Sequence, residues 1–115
     1  MKKLYSMPSS TGLKENVAGA LSYLLGPITG ILFLLMEKES QFVKFHAMQS
    51  TITFAGFWVL DIALSFIPYI GVLLIPIVGL VAFITWLVCI YKAYSNEWFK
   101  LPVVGDIAEQ QIGGV

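Results

Sequence analysis

Charge is scarce in this chain. Only 12% of its 115 residues are charged, seven basic side chains balance seven acidic ones, and nearly all lie in the terminal segments or between Glu37 and His46. That balance excludes a polybasic nucleic-acid binder. Cysteine and histidine occur once each, as Cys89 and His46. A lone cysteine inside an apolar run supports neither an intrachain disulfide nor a cysteine metal site, and one histidine with Glu37 or Glu39 nearby supplies too few ligands for a metal. The sequence also lacks a phosphate-binding glycine loop, a nucleophile elbow, paired histidines at helical spacing and a close carboxylate pair within an apolar run. An enzyme is not expected, and no cofactor is implied.

What the chain has in abundance is apolar surface, with 57% of its residues hydrophobic. A water-soluble fold this small would expose too much of it. Three runs carry it: Asn16 to Met36 without a charge, Ala47 to Tyr69 interrupted by Asp61, and Ile70 to Tyr91, again uncharged. A bilayer core of about 30 Å needs roughly 20 helical residues, so each run is long enough to span. Glu37, Lys38 and Glu39 stop the first run, Ser40 is placed to cap the next helix, and Lys92, Glu97 and Lys100 follow the third. Pro68 and Gly71 in "FIPYIGV" favour a tight turn between the second and third. The expected fold is therefore an all-α integral membrane protein with three transmembrane helices, over residues 16–36, 41–67 and 72–95, and a short carboxyl-terminal interfacial helix near 106–112. In domain terms, 1–15 is a mobile polar segment, too broken by Pro8 and Gly12 to be a secretory signal, 16–95 is the transmembrane domain and 96–115 an interfacial tail. Asp106 is expected to cap the last helix with Glu109 as its partner.

Written on a helix, Phe42, Phe45, His46 and Gln49 of "QFVKFHAMQS" fall on one side. One reading makes this an amphipathic entry at headgroup depth, with Lys44 and His46 reaching toward water; the other makes His46 and Gln49 a polar contact site for a helix or substrate. Tyr91, Tyr94, Trp98 and Phe99 beside Lys92 and Lys100 form the mixture of rings and cations enriched where a helix leaves the membrane. Lys2, Lys3 and Lys14 on one side, against Lys38, Lys44, Lys92 and Lys100 on the other, lean toward a cytoplasmic His46 loop and carboxyl terminus.

Ala18, Ser22, Gly26 and Gly30 recur every four positions, a spacing that lets helices approach closely, within the chain or between copies. Gly79 is a further close-packing candidate, and Pro27 is expected to kink the first helix. Asp61 is the one ionisable residue inside a span and so a functional candidate. It lies about 10 Å along the helix from Pro68, and folding the runs against one another brings it level with Ser22 and Tyr23, the expected hydrogen-bond partners. On this reading Asp61 matters more than His46 for helix packing.

The stretch "GLKENVAGALSYLLGPITGILFLLMEKESQFVKFHAMQS", an apolar hairpin and "YKAYSNEWFKLPVVGDIAEQQ" together resemble a family of small, largely uncharacterised prokaryotic membrane proteins. That family is similar in turn to the Tic-twenty component of the chloroplast inner-envelope translocon and to the magnetosome membrane protein MamF. Phe42, Val43, Phe45, His46, Ala47 and Gln49, with Lys100, Leu101 and Pro102, carry the likeness most specifically. The resemblance implies a multi-span helical protein with a part in translocation or membrane organisation. The function expected is non-enzymatic: a multi-pass protein of the cell membrane acting by association, as a scaffold or subunit of a membrane complex. The alternative is a small transporter or channel subunit using Asp61. Partners are the lipid bilayer and either further copies or other membrane proteins.

Overall fold

Gly26 and Pro27 divide the first apolar run. In the computed structural model, which describes residues 10–113, helix α1 covers Glu15–Leu21 and α2 covers Pro27–Met36, with a turn between them. The expectation for the amino-terminal segment falls largely on residues outside those described. Gly26 takes φ 64°, a left-handed conformation that glycine adopts without a side-chain clash. Pro27 then opens α2 at its first position, where a missing N–H costs nothing. Proline here starts a helix instead of kinking one.

Helix α3, Gln41–Ser65, begins where Ser40 accepts the Val43 amide at 3.2 Å. A turn at 66–69 leads into α4, Ile70–Tyr94. The turn is closed backbone to backbone: a β-carbon on Gly71 would lie 2.0 Å from the Leu64 carbonyl oxygen. Each of these helices has 25 residues, about 37 Å of length against a bilayer core of about 30 Å. Helix α5, Val104–Gln111, follows and packs on α3. It starts two residues earlier than expected, so Asp106 sits in its first turn and is no cap. Together with Glu109, Asp106 holds the Lys100 ammonium, at 3.4 and 2.6 Å.

Among the described residues two helices, α3 and α4, are long and apolar enough to cross a membrane; the expected third span is not among them. The first run fails because α1 and α2 both have their outer ends at one end of the molecule. Ser10, ahead of α1, donates its amide to Glu37 at 2.9 Å, just past α2. Ser40 donates its hydroxyl to Glu15, and Asn16 donates to the carbonyl of Tyr94 at 2.9 Å. The run enters beside α4, turns near the level of Phe54 and Trp86, and returns along α3. Helix α1 packs on both α3 and α4, and α2 on α3. Ala18, Phe33, Val43 and Ala47 form one apolar cluster, and Tyr23, Phe54, Cys89 and Ala93 a second.

A turn at such a depth leaves backbone groups without helical partners, and side chains supply them. Trp86 donates its indole N–H to the Tyr23 carbonyl at 2.8 Å, and Ser50 its hydroxyl to that of Gly26 at 3.0 Å. Thr29 donates to the Ser22 carbonyl and accepts from the Leu25 amide, both at 3.1 Å. Non-helical backbone inside a hydrocarbon layer is tolerated under just this condition.

The small-residue series is split by the break. Ala18 lies in α1, Gly30 in α2, and Ser22 and Gly26 flank the turn; all four are buried within the chain. They do not form one ridge on one helix. A β-carbon on Gly30 would meet the Thr51 hydroxyl at 2.6 Å and the Ala47 carbonyl at 3.0 Å, so this glycine sets the approach of α2 to α3. Gly79 has no neighbour within 4 Å and packs on nothing in the chain.

Candidate functional site

The most connected polar cluster begins with the histidine of α3. His46, 0% exposed, has its ring against Phe42, Phe45 and Tyr23, with centroids at 4.6, 5.2 and 5.5 Å. Its Nε2 lies 2.9 Å from the Glu97 carbonyl oxygen. A carbonyl only accepts, so Nε2 carries the proton, and in the neutral ring Nδ1 accepts the Tyr23 hydroxyl proton at 2.7 Å. Tyr23 accepts in turn from the Gln49 amide at 2.8 Å. The same nitrogen donates to the Phe99 carbonyl at 2.9 Å, and Gln49 Oε1 accepts the Leu101 amide at 2.9 Å. Trp98 lies over Phe42 and Phe45 as a cover.

Every hydrogen-bonding position of the histidine ring and of the glutamine Nε2 hydrogens is used. The cluster holds no free base, and it fastens the turn after α1 and the segment 97–101 to α3. His46 and Gln49 are therefore contact residues and not headgroup anchors. Their shared helix side was read correctly, but it faces Tyr23 and the returning chain instead of water. Tyr91 and Tyr94 remain exposed, whereas Phe99 packs under the Lys92 ammonium, 5.6 Å from its ring centre.

A second cluster surrounds Ser40 at the same end. Glu37 is 2% exposed, and its Oε2 accepts the amides of Ser10, Glu39 and Ser40 at 2.9, 3.1 and 2.8 Å. Burial by itself would push this carboxyl up. The hydrogen bonds from Ser40, Ser10 and Glu39 outweigh it and hold Glu37 below the usual carboxylate range. Glu15 accepts only the Ser40 hydroxyl, and burial, helped by the nearby charge of Glu37, pushes its carboxyl up. Neither residue stood out in the sequence, where both read as charges at the edge of an apolar run.

Asp61 stands apart from both clusters. It is half-buried, its Oδ1 has no hydrogen-bond partner, and neither Tyr23 nor Ser22 reaches it. Tyr23 is committed to His46 and Gln49, and Ser22 donates to the Gly19 carbonyl at 2.6 Å. The expected pairing assumed an unbroken first helix; the turn at Ser22–Gly26 leaves those residues level with Ser50 and Phe54 instead. Among the described residues no group of three or more His, Cys, Asp and Glu converges on a common point.

These features define an all-helical protein with no strand among its described residues and two helices of spanning length. The chain belongs to the magnetosome magnetite crystal formation protein family, whose model matches residues 14–108. It is 99% identical over 103 residues to a UPF0132 membrane protein of Archaeoglobus fulgidus, covering 90% of this chain and 100% of that one. A UPF0132 membrane protein of Methanocaldococcus jannaschii is 66% identical over 102 residues, covering 89% and 92%. A second from that organism is 46% identical over 99 residues, covering 86% of this chain and 71% of its own length. No solved structure matches the chain. These relatives place the protein among membrane proteins.

Proposed function

We propose that this is a multi-pass protein of the cell membrane without enzymatic activity, acting by association as a scaffold or subunit of a membrane complex. The observation that carries this reading is the outer half of the α3–α4 hairpin. Helix α4 buries almost none of its spanning surface within the chain. Val72, Leu73, Leu80, Val59 and Ile62 are all exposed there, and Gly79 offers a point of close backbone approach. Small residues on an unpacked helix surface are where membrane helices meet when lipid supplies no hydrophobic drive. The polar clusters at the other end are consumed in holding the chain's own parts together.

Cysteine placed at Gly79 or Val72 in a Cys89→Ala background tests it in native membranes. Disulfide-linked dimers at Gly79, or a larger species holding the protein in mild detergent, are the expected result; a monomer without cross-links at either position ends the proposal. A transporter subunit using Asp61 is favoured only by its unpartnered Oδ1, and loss of ion flux from vesicles carrying Asp61→Asn is its test. A part in translocation rests on the sequence resemblance to the chloroplast component alone, which none of the relatives found bears out, and co-purification with a translocating chain is its test.

A further inference from the structure

A section through the molecule near Ala47 cuts four helices. At that level α1, α2, α3 and α4 lie together, as the cluster of Ala18, Phe33, Val43 and Ala47 and the contact of Gly19 with Phe42 and Ala93 record. A section near Asp61 cuts two. The break at Ser22–Gly26 is what makes the difference, because the first run turns back at the level of Phe54 and Trp86. From Gln41, where α3 begins, Phe54 lies about 20 Å along the helix, more than half of a bilayer core. At about 10 Å of diameter per helix, lateral area roughly doubles from one half to the other. Helix α5 adds to the broad end: it packs on α3, buries Ala108, sets Gly105 against Lys100 and leaves Ile107 exposed.

We infer that the protein is a wedge in the bilayer, and that the surface it fits is a curved membrane, convex on the side that holds the broad end. An inclusion that displaces more area from one leaflet than from the other leaves a mismatch, which the bilayer relieves by bending or by recruiting the inclusion to places already bent. The wedge is rigid where it is broad. The Tyr23, His46 and Gln49 bonds tie the turn after α1 to α3 and to the segment 97–101, and the turn's carbonyls are held by Trp86 and Ser50. The inference depends on α3 and α4 crossing the bilayer and is independent of self-association.

The test uses the full chain in giant vesicles of phosphatidylcholine and phosphatidylglycerol from which narrow tubes are pulled. In a Cys89→Ala background, Lys38→Cys marks the broad end and Tyr69→Cys the narrow end; both sites are exposed. A membrane-impermeant fluorescent maleimide then labels only molecules with that end outward. Tubes expand the outer leaflet, so molecules labelled at Lys38→Cys should be enriched on them and those labelled at Tyr69→Cys depleted. The two tube-to-plane ratios should differ by about threefold, the change that a bias on the order of RT produces. Equal ratios, or the reverse order, overturn the proposal. Measuring at a dilution where cross-linking finds only monomers separates failure of the shape argument from failure of association.

Discussion

Removing the Tyr23 hydroxyl strands two partners at once. In Tyr23→Phe the Nδ1 of His46 loses its donor and one Gln49 hydrogen loses its acceptor, and an unsatisfied buried polar group costs about 1–3 kcal/mol. Thermal melts in one detergent should show a clear loss for Tyr23→Phe and for His46→Asn, whose shorter side chain does not span from Tyr23 to Glu97. Asp61→Asn should melt with the parent protein, because its carboxyl makes no bond within the chain. A second prediction separates the two buried glutamates. The carboxyl of Glu37 is lower in the folded state than its ordinary value of 4.5, so its stabilising contribution is full above that value and is lost as pH falls through the folded one. Glu37→Gln should therefore cost about 1–2 kcal/mol at neutral pH, from weaker hydrogen bonds, and the difference should vanish under acid. Glu15 is shifted the other way: the folded state holds its proton more tightly, and stability falls as pH rises from 4.5 through the raised value. Glu15→Gln should match or exceed the parent at neutral pH. Unfolding midpoints measured between acid and neutral pH check both signs.

At the scale of elements, Gly30 and Gly79 are opposites. Gly30→Ala drives a methyl into Thr51 and the Ala47 backbone and should cost about 1–3 kcal/mol, while Gly79→Ala meets nothing in the chain and should gain up to about 1 kcal/mol from helix propensity. Measured on the monomer in detergent, a loss of stability in Gly79→Ala comparable to that of Gly30→Ala would mean that α4 packs within the chain after all. The α3–α4 hairpin was legible in the sequence because charge and Pro68 punctuate it, and its bounds agree with expectation to within two residues. The first run was misread because hydropathy counts residues and is blind to direction. Its turn was written in the Gly26–Pro27 pair, a left-handed glycine before a helix-opening proline, which also reads as a kink in a continuous helix. The His46 cluster was legible only as a shared helix side. Three of its partners are backbone groups of Glu97, Phe99 and Leu101, and a backbone carbonyl or amide has no signature in sequence.

For the whole molecule, the break redistributes charge. The return of α2 brings Lys14 to the end that holds Lys38, Lys44, Lys92 and Lys100, while the turn between α3 and α4 at residues 66–69 has no ionisable group except the Tyr69 phenol. The count of lysines near span ends is then five against none among the described residues, which favours a cytoplasmic broad end. Single cysteines at Ser10, Lys38 and Lys100 should all react with an impermeant reagent from the same face, and one at Tyr69 from the opposite face. Reaction of Ser10 and Lys38 from opposite faces would restore a crossing first helix and remove the wedge with it. The elongated envelope, 52 × 22 × 22 Å, is long enough to reach through one bilayer, headgroups included.

The bonds from His46 and Gln49 to residues 97–101 also fix an order of events during synthesis. Tyr23 and His46 emerge from the ribosome well before the groups that complete their cluster, since Glu97 follows His46 by 51 residues. The hydroxyl, imidazole and amide wait, half-satisfied, until that later segment is made. Closing of residues 97–101 over them therefore follows the making of α3 and α4, and a truncation before Glu97 should give a protein that inserts but never locks.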